Sequence, residues 1–193
     1  MRCIAVDDDM PALIDQIARG EPVIALDGER GALLFFAAEV ASTGLLSFAT
    51  RYSSGLIHAV MRSDRLDLLR IHDQLVLASE DRSLRFTVSV DAVGVGTGIS
   101  ARDRALTLRV LGNPDATAAD LRRPGHVLPV RCPEFPFERR DQVWDMMIRA
   151  VSQSGLSPVA GACRLVRDTG DVLDETGARE FAAHFGLAVM PGR

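Results

Sequence analysis

Six short apolar runs, each bounded by glycine, proline or charge, narrow the fold more than any other feature of this chain. They are PVIAL (22–26), GLIHAVM (55–61), RFTVSVDA (85–92), HVLPVRC (126–132), VAGACRLV (159–166) and LAVM (187–190). Short β-branched runs between such breakers read as strands. Segments of helical period alternate with them, at 9–19, 32–50, 101–111, 138–154 and 175–185. In the fourth of these, Val143, Met147 and Val151 recur every fourth residue and draw one apolar stripe along a helix. Ser100 with Asp103 has the form of an N-terminal cap for the third, and Gly112 before Pro114 marks its end. The alternation predicts an α/β fold, arranged as an α+β sandwich, in a single domain over 1–193. Asp27-Gly28-Glu29-Arg30-Gly31 falls between the first strand and the 32–50 segment, so it reads as a tight strand-to-helix turn.

Composition excludes several chemistries. With 22 Lys+Arg against 26 Asp+Glu the chain is net acidic at −4, and its arginines are scattered, which argues against nucleic-acid binding. No apolar run approaches the about 20 residues needed to cross a bilayer, and MRCIAVDDDMP has no signal-peptide core. A cytoplasmic protein without a membrane partner is therefore expected. Cys3, Cys132 and Cys163 are odd in number and lack a CxxC spacing, as free thiols of a reducing compartment do. Every basic residue among the 22 is arginine, which removes lysine Schiff-base chemistry and any Walker-type phosphate loop. GVGTGIS (94–100) lacks the G-x-G-x-x-G spacing and the acidic partner of a dinucleotide site. Asp7-Asp8-Asp9 reads as a solvated run at a helix start, and His72 and His184 stand alone in polar contexts. No Cys/His cluster has zinc spacing, and no cofactor is expected.

Three stretches, in order, resemble a known family. SGLIHAVMRSDRLDLL (54–69), RFTVSVDAVGVGTGISARDRALTLRVLGNPDATAADLRRPGHVLPVR (85–131) and, more loosely, SQSGLSPVAGACRLVRDTGDV (152–172) look like the 3,4-dihydroxy-2-butanone 4-phosphate synthase family of riboflavin biosynthesis. The most specific part ends in RPGHVLPVR. The resemblance implies one α/β domain that forms a homodimer with sites near the subunit interface. It also implies conversion of ribulose 5-phosphate to the butanone phosphate and formate with magnesium. That chemistry needs a base to form an enediol, acids to expel hydroxyl, and a metal to hold oxygens. In the family these come from an acidic loop of pattern D-R-E-N-E-G-D, a G-H-T-E helix start whose histidine binds metal, and a later C-E pair.

At each of these places this chain departs from the pattern. The acidic loop corresponds to Asp27–Gly31, which is shorter than the family's, and Glu29-Arg30 is its only remnant. Aligned back from SGLSP, the metal histidine becomes Val143 and the following threonine becomes Trp144, a side chain large enough to fill space where a phosphate would sit. Another register offers Asp141 or Asp145 as an oxygen ligand, but two carboxylates make a weak magnesium site. Arg140 matches a family arginine that contacts phosphate; it serves either as an anion partner or as a solvated surface residue. The later glutamate becomes Arg164, an exchange of acid for permanent cation that favours an anionic ligand. A family cysteine becomes His58, and a preceding family histidine becomes Tyr52 or Ser53. The turn before FTV becomes EDRSLR, with Arg82 and Leu84. His126 in RPGH matches a family histidine implicated in catalysis, or alternatively orders the RRPGH turn by hydrogen bonding. Thr97 is placed near the site by the same resemblance.

The sequence thus leads to a diverged family member without a metal site. The candidate catalytic groups are His126, His58 and Glu29. Arg140, Arg164, Thr97, Arg30 and Asp141 are the candidates for holding a small anionic molecule. Metal-independent proton transfer or elimination is the first functional expectation. A non-catalytic ligand- or partner-binding homologue is the second, recognisable by Trp144, Val143 and Leu84 filling the cavity. The authentic synthase is the third.

Overall fold

Ala32-Leu33-Leu34-Phe35-Phe36-Ala37 decides the architecture. In the computed structural model, which describes residues 10–77, 79, 85–132 and 143–190, these six form strand β2 (Ala32–Ala37), buried along its whole length. β2 pairs antiparallel with β1 (Val23–Leu26), Val23 opposite Phe35 and Leu26 opposite Ala32. A single 3₁₀ turn, Gly28–Arg30, joins them. The expectation of one helix over 32–50 is therefore corrected: the first part is a strand, and helix α2 (Thr43–Arg51) begins after it, where the Ser42 hydroxyl accepts the Leu45 N–H at 3.1 Å. Asp27–Gly31 is correspondingly a hairpin turn between two strands. The reason is physical. A strand covered on both faces is apolar at every position and loses the alternation that separates a strand from a buried helix.

Most of the other elements follow the sequence pattern, but the helix at Ser63–Leu68 was not expected and the strand expected at 126–132 begins at Leu121. The other elements are α1 (Met10–Ala18), β3 (Ile57–Arg62), α3 (Ser63–Leu68), β4 (Arg85–Phe86), β5 (Val90–Ala92), α4 (Ala101–Gly112), β6 (Leu121–Cys132), α5 (Val143–Gln153), β7 (Ala160–Arg164), α6 (Glu175–Phe185) and β8 (Val189–Met190). The run 85–92, expected as one strand, is broken into β4 and β5, both of which pair with β6. Ser100 caps α4 through the Asp103 N–H, as its sequence suggested. Asp7–Asp9 and Cys3 lie outside the described residues.

Among the described residues the strands form one mixed sheet of order β4-β6-β3-β7-β2-β1-β8, with β5 also on β6. β3 runs parallel to β6 and β1 parallel to β8; the remaining pairs are antiparallel. Alternate residues of β2 feed two cores. Leu34 and Phe36 pack with Leu46 of α2, Leu108 of α4 and Ala178 of α6. Leu33 and Phe35 pack on the opposite face with Ile17 of α1 and Val143, Met147 and Val151 of α5. The result is a helix–sheet–helix sandwich, and burying each such Leu or Phe stabilises it by about 1.5–3 kcal/mol.

Register sets the site. Ile57 pairs with Val127, His58 with Leu128 and Ala162, and Arg164 with Leu33. His126 and Arg164 therefore lie at the same end of the sheet with β3 between them, about 10 Å apart at ordinary strand spacing.

Candidate functional site

The first grouping lies on β5 and β6. Asp91 is an acid inside the apolar run of β5, and its side chain is only 2% exposed. It accepts the backbone N–H of His126 at 2.9 Å, and its second oxygen lies 2.8 Å from His126 Nδ1. Two contacts to one buried carboxylate fix the imidazole in orientation, while the His126 side chain keeps 39% of its surface exposed. Arg122 stands 3.8 Å from the same carboxylate and donates to the Gly96 carbonyl. The bend carrying Thr97 is held over this pair by Gly98. A Cβ at Gly98 would come within 2.1 Å of Asp91 Oδ2 and 2.5 Å of His126 Nδ1, so the position is closed to any side chain. Thr97 itself is exposed on that bend.

The second grouping joins β7 to the β1–β2 turn. Arg164 donates from Nη2 to Asp27 Oδ2 at 2.8 Å and from Nη1 to the Arg30 carbonyl. With 23% and 14% of their side-chain surface exposed, Arg164 and Asp27 are partly withdrawn from water. Glu29 and Arg30 are exposed on the turn. The turn is anchored on its other side as well, since the Ala32 N–H donates to the Leu173 carbonyl at 2.9 Å.

The third grouping lies between the sheet and α5. His58 is buried on β3, its ring 5.7 Å from that of Phe86 and 5.6 Å, edge-on, from that of Trp144. Burial, with a smaller push from the Arg164 charge, lowers the His58 imidazole to about 4, against a hydrogen bond to the Leu128 backbone that works upward. At neutral pH His58 is thus an uncharged ring in a mostly apolar setting. Val143 and Trp144 are both buried in the α5-side core. Asp145 is buried beside them and pairs with Arg149 at 2.7 Å. Arg140 and Asp141, with Arg82 and Leu84, lie outside the described residues.

The comparisons with known proteins bear on this arrangement. The family model of 3,4-dihydroxy-2-butanone 4-phosphate synthase matches residues 11–193. The chain belongs to the 3,4-dihydroxy-2-butanone 4-phosphate synthase family. Among similar members of the family, the riboflavin biosynthesis protein RibBA of Salinispora arenicola is 37% identical over 179 residues, covering 91% of this chain and 43% of the relative. RibBA of Mycobacterium tuberculosis (strain ATCC 25177 / H37Ra) is 34% identical over 189 residues, covering 95% and 44%. The chain thus spans under half the length of these relatives. A 3,4-dihydroxy-2-butanone 4-phosphate synthase solved in complex with two magnesium ions superposes with TM-score 0.87 at 33% identity, over 94% of this chain and 92% of the other. The synthase of Candida albicans gives 0.86 at 29% identity, with the same coverage.

Membership of the family implies magnesium, and the donors among the described residues do not fit it. Among the described residues no group of three or more His, Cys, Asp or Glu side chains is placed to hold a metal ion. Asp27, the turn carboxylate nearest β7, is already bound by the Arg164 guanidinium. Val143, where the sequence resemblance would put the family's metal histidine, has its side chain in the core.

Of the residues singled out from sequence, the structure brings His58 and Arg164 within electrostatic reach of one another, and places Arg30 against Arg164 through its backbone. His126, on β6, is one strand from His58 and two from Arg164. Sequence reading missed Asp91 and Asp27, the partners that define His126 and Arg164. Asp91 left a usable signal, being the one acid within FTVSVDAV. Asp27 left none, because a turn aspartate before glycine is expected in any hairpin.

Proposed function

We propose that this member of the riboflavin biosynthesis family does not carry out the metal-dependent cleavage of ribulose 5-phosphate, and that its scaffold serves to bind a ligand or a partner. One observation carries the reading: the Arg164–Asp27 ion pair. It sets a guanidinium on the turn that the sequence resemblance assigns to the family's acids, while Val143 and Trp144 are buried in the core on the α5 side. An acid–base mechanism has no carboxylate to use at position 164, and a guanidinium does not exchange protons near neutrality. A homodimer and a small anionic ligand are the partners that go with this reading.

The Asp91–His126 geometry favours a second reading, metal-independent proton transfer. An exposed imidazole oriented by a buried carboxylate is suited to move a proton on a small anionic molecule that Arg122 would attract. The names of the relatives favour the synthase reaction itself, since proteins 34–37% identical are called riboflavin biosynthesis proteins. An assay of formate release from ribulose 5-phosphate with magnesium separates the synthase reaction from the other two readings. The proposal expects no formate above the enzyme-free blank, and catalytic turnover would overturn it.

A further inference from the structure

The β1–β2 turn already contains a cation. Arg164 reaches two oxygens from different parts of the turn, the Asp27 carboxylate at 2.8 Å and the Arg30 carbonyl. Both are hard oxygen donors, the type that magnesium and calcium take. Their positions do not depend on the arginine alone. The Asp27 N–H donates to the Gly31 carbonyl at 2.9 Å, closing the turn on itself. Gly31, with φ at 84°, lies so close to the next layer that a Cβ would come within 2.2 Å of Val172 Cγ1. Backbone therefore fixes the turn and its Arg30 carbonyl, while the Asp27 carboxylate is held by the Arg164 guanidinium itself.

We infer that Arg164 is a built-in counter-ion that closes the β1–β2 turn onto β7 and excludes divalent cations from it, so that replacing this one arginine uncovers a cation site at Asp27 and the Arg30 carbonyl. A divalent ion entering there would meet a permanent positive charge at hydrogen-bonding distance from the same oxygens, and like charges so placed repel. With a carboxylate in place of the guanidinium the repulsion is reversed, and its oxygens would join the Asp27 carboxylate and the Arg30 carbonyl as donors of the type that a hydrated magnesium takes. The inference deepens the reading that metal-dependent cleavage is absent, and rests on it, but is tested without activity.

The test compares melting temperatures of the full chain and its Arg164→Glu and Arg164→Met variants in magnesium chloride and in sodium chloride of equal ionic strength. The natural chain should melt at the same temperature in both salts. Both variants should melt lower in sodium chloride, by about 3–8 °C for a chain of this size. Magnesium should restore Arg164→Glu substantially and Arg164→Met much less. A magnesium-specific rise in the natural chain, or none in Arg164→Glu, overturns the inference. If Arg164→Glu does not fold in sodium chloride, its refolding yield in the two salts is read instead, and equal yields count against it. Formate release would strike the functional reading and leave this comparison intact.

Discussion

Acidification should destabilise this protein through one histidine, by an amount that can be worked out. His58 is lowered from 6.5 to about 4 in the folded chain, chiefly by burial against Phe86 and Trp144. Above pH 6.5 the ring is neutral in both folded and unfolded chains and contributes nothing to pH dependence. Between 6.5 and about 4 the unfolded chain takes up a proton that the folded chain refuses, so stability falls as pH falls. The difference of about 2.5 units, at about 1.36 kcal/mol each, comes to about 3 kcal/mol, fully expressed below pH 4. Asp73, Asp120 and Asp174, whose carboxyls are held below their ordinary values, also lose stability on acidification, though at lower pH. The comparison that isolates the histidine is therefore urea unfolding of the natural chain and His58→Phe across this range. The variant keeps a ring of similar size and removes the titration. The stability difference between the two proteins should shift by about 3 kcal/mol in favour of the variant from neutral pH to about pH 4. Parallel pH curves would refute the argument, because they would mean that His58 is protonated as readily folded as unfolded.

Three further outcomes are expected. Gly98→Ala should cost about 2–4 kcal/mol in urea unfolding, since its Cβ would displace both Asp91 and His126. Gly155→Ala has a similar positive φ with nothing within 4 Å, and should cost only the smaller backbone strain, about 1 kcal/mol. Sedimentation of the purified chain should give a dimer that persists on dilution through the micromolar range; a monomer would remove the homodimer from the account.

Much of the fold was legible because its signals are local. The caps of α4, the stripe on α5 and the breakers around β3 and β7 are each written within a few residues. β2 was not legible, because a strand covered on both faces has no alternation, and ALLFFA followed by alanines has the composition of a helix. The site divides in the same way. The resemblance placed departures from the family at Val143 and Arg164 by position alone. What Arg164 does could not be read in that way, since its partner Asp27 is far along the chain and is brought to it only by the pairing of β2 with β7. The sequence suggested a cation waiting for an anionic ligand; in the folded chain that cation is already neutralised by a carboxylate of its own subunit. Likewise, the low pKa of His58 arises from burial between β3 and α5, and burial of that kind is a tertiary property.

The most direct measurement is anomalous diffraction from crystals of the full chain grown with manganese. Manganese prefers the same oxygen donors as magnesium and scatters strongly enough to be located without ambiguity. The account predicts an Arg164 guanidinium on the Asp27 carboxylate and no anomalous peak beside Gly28–Gly31. A manganese ion held there by Asp27 or Glu29, with Arg164 swung aside, would contradict it.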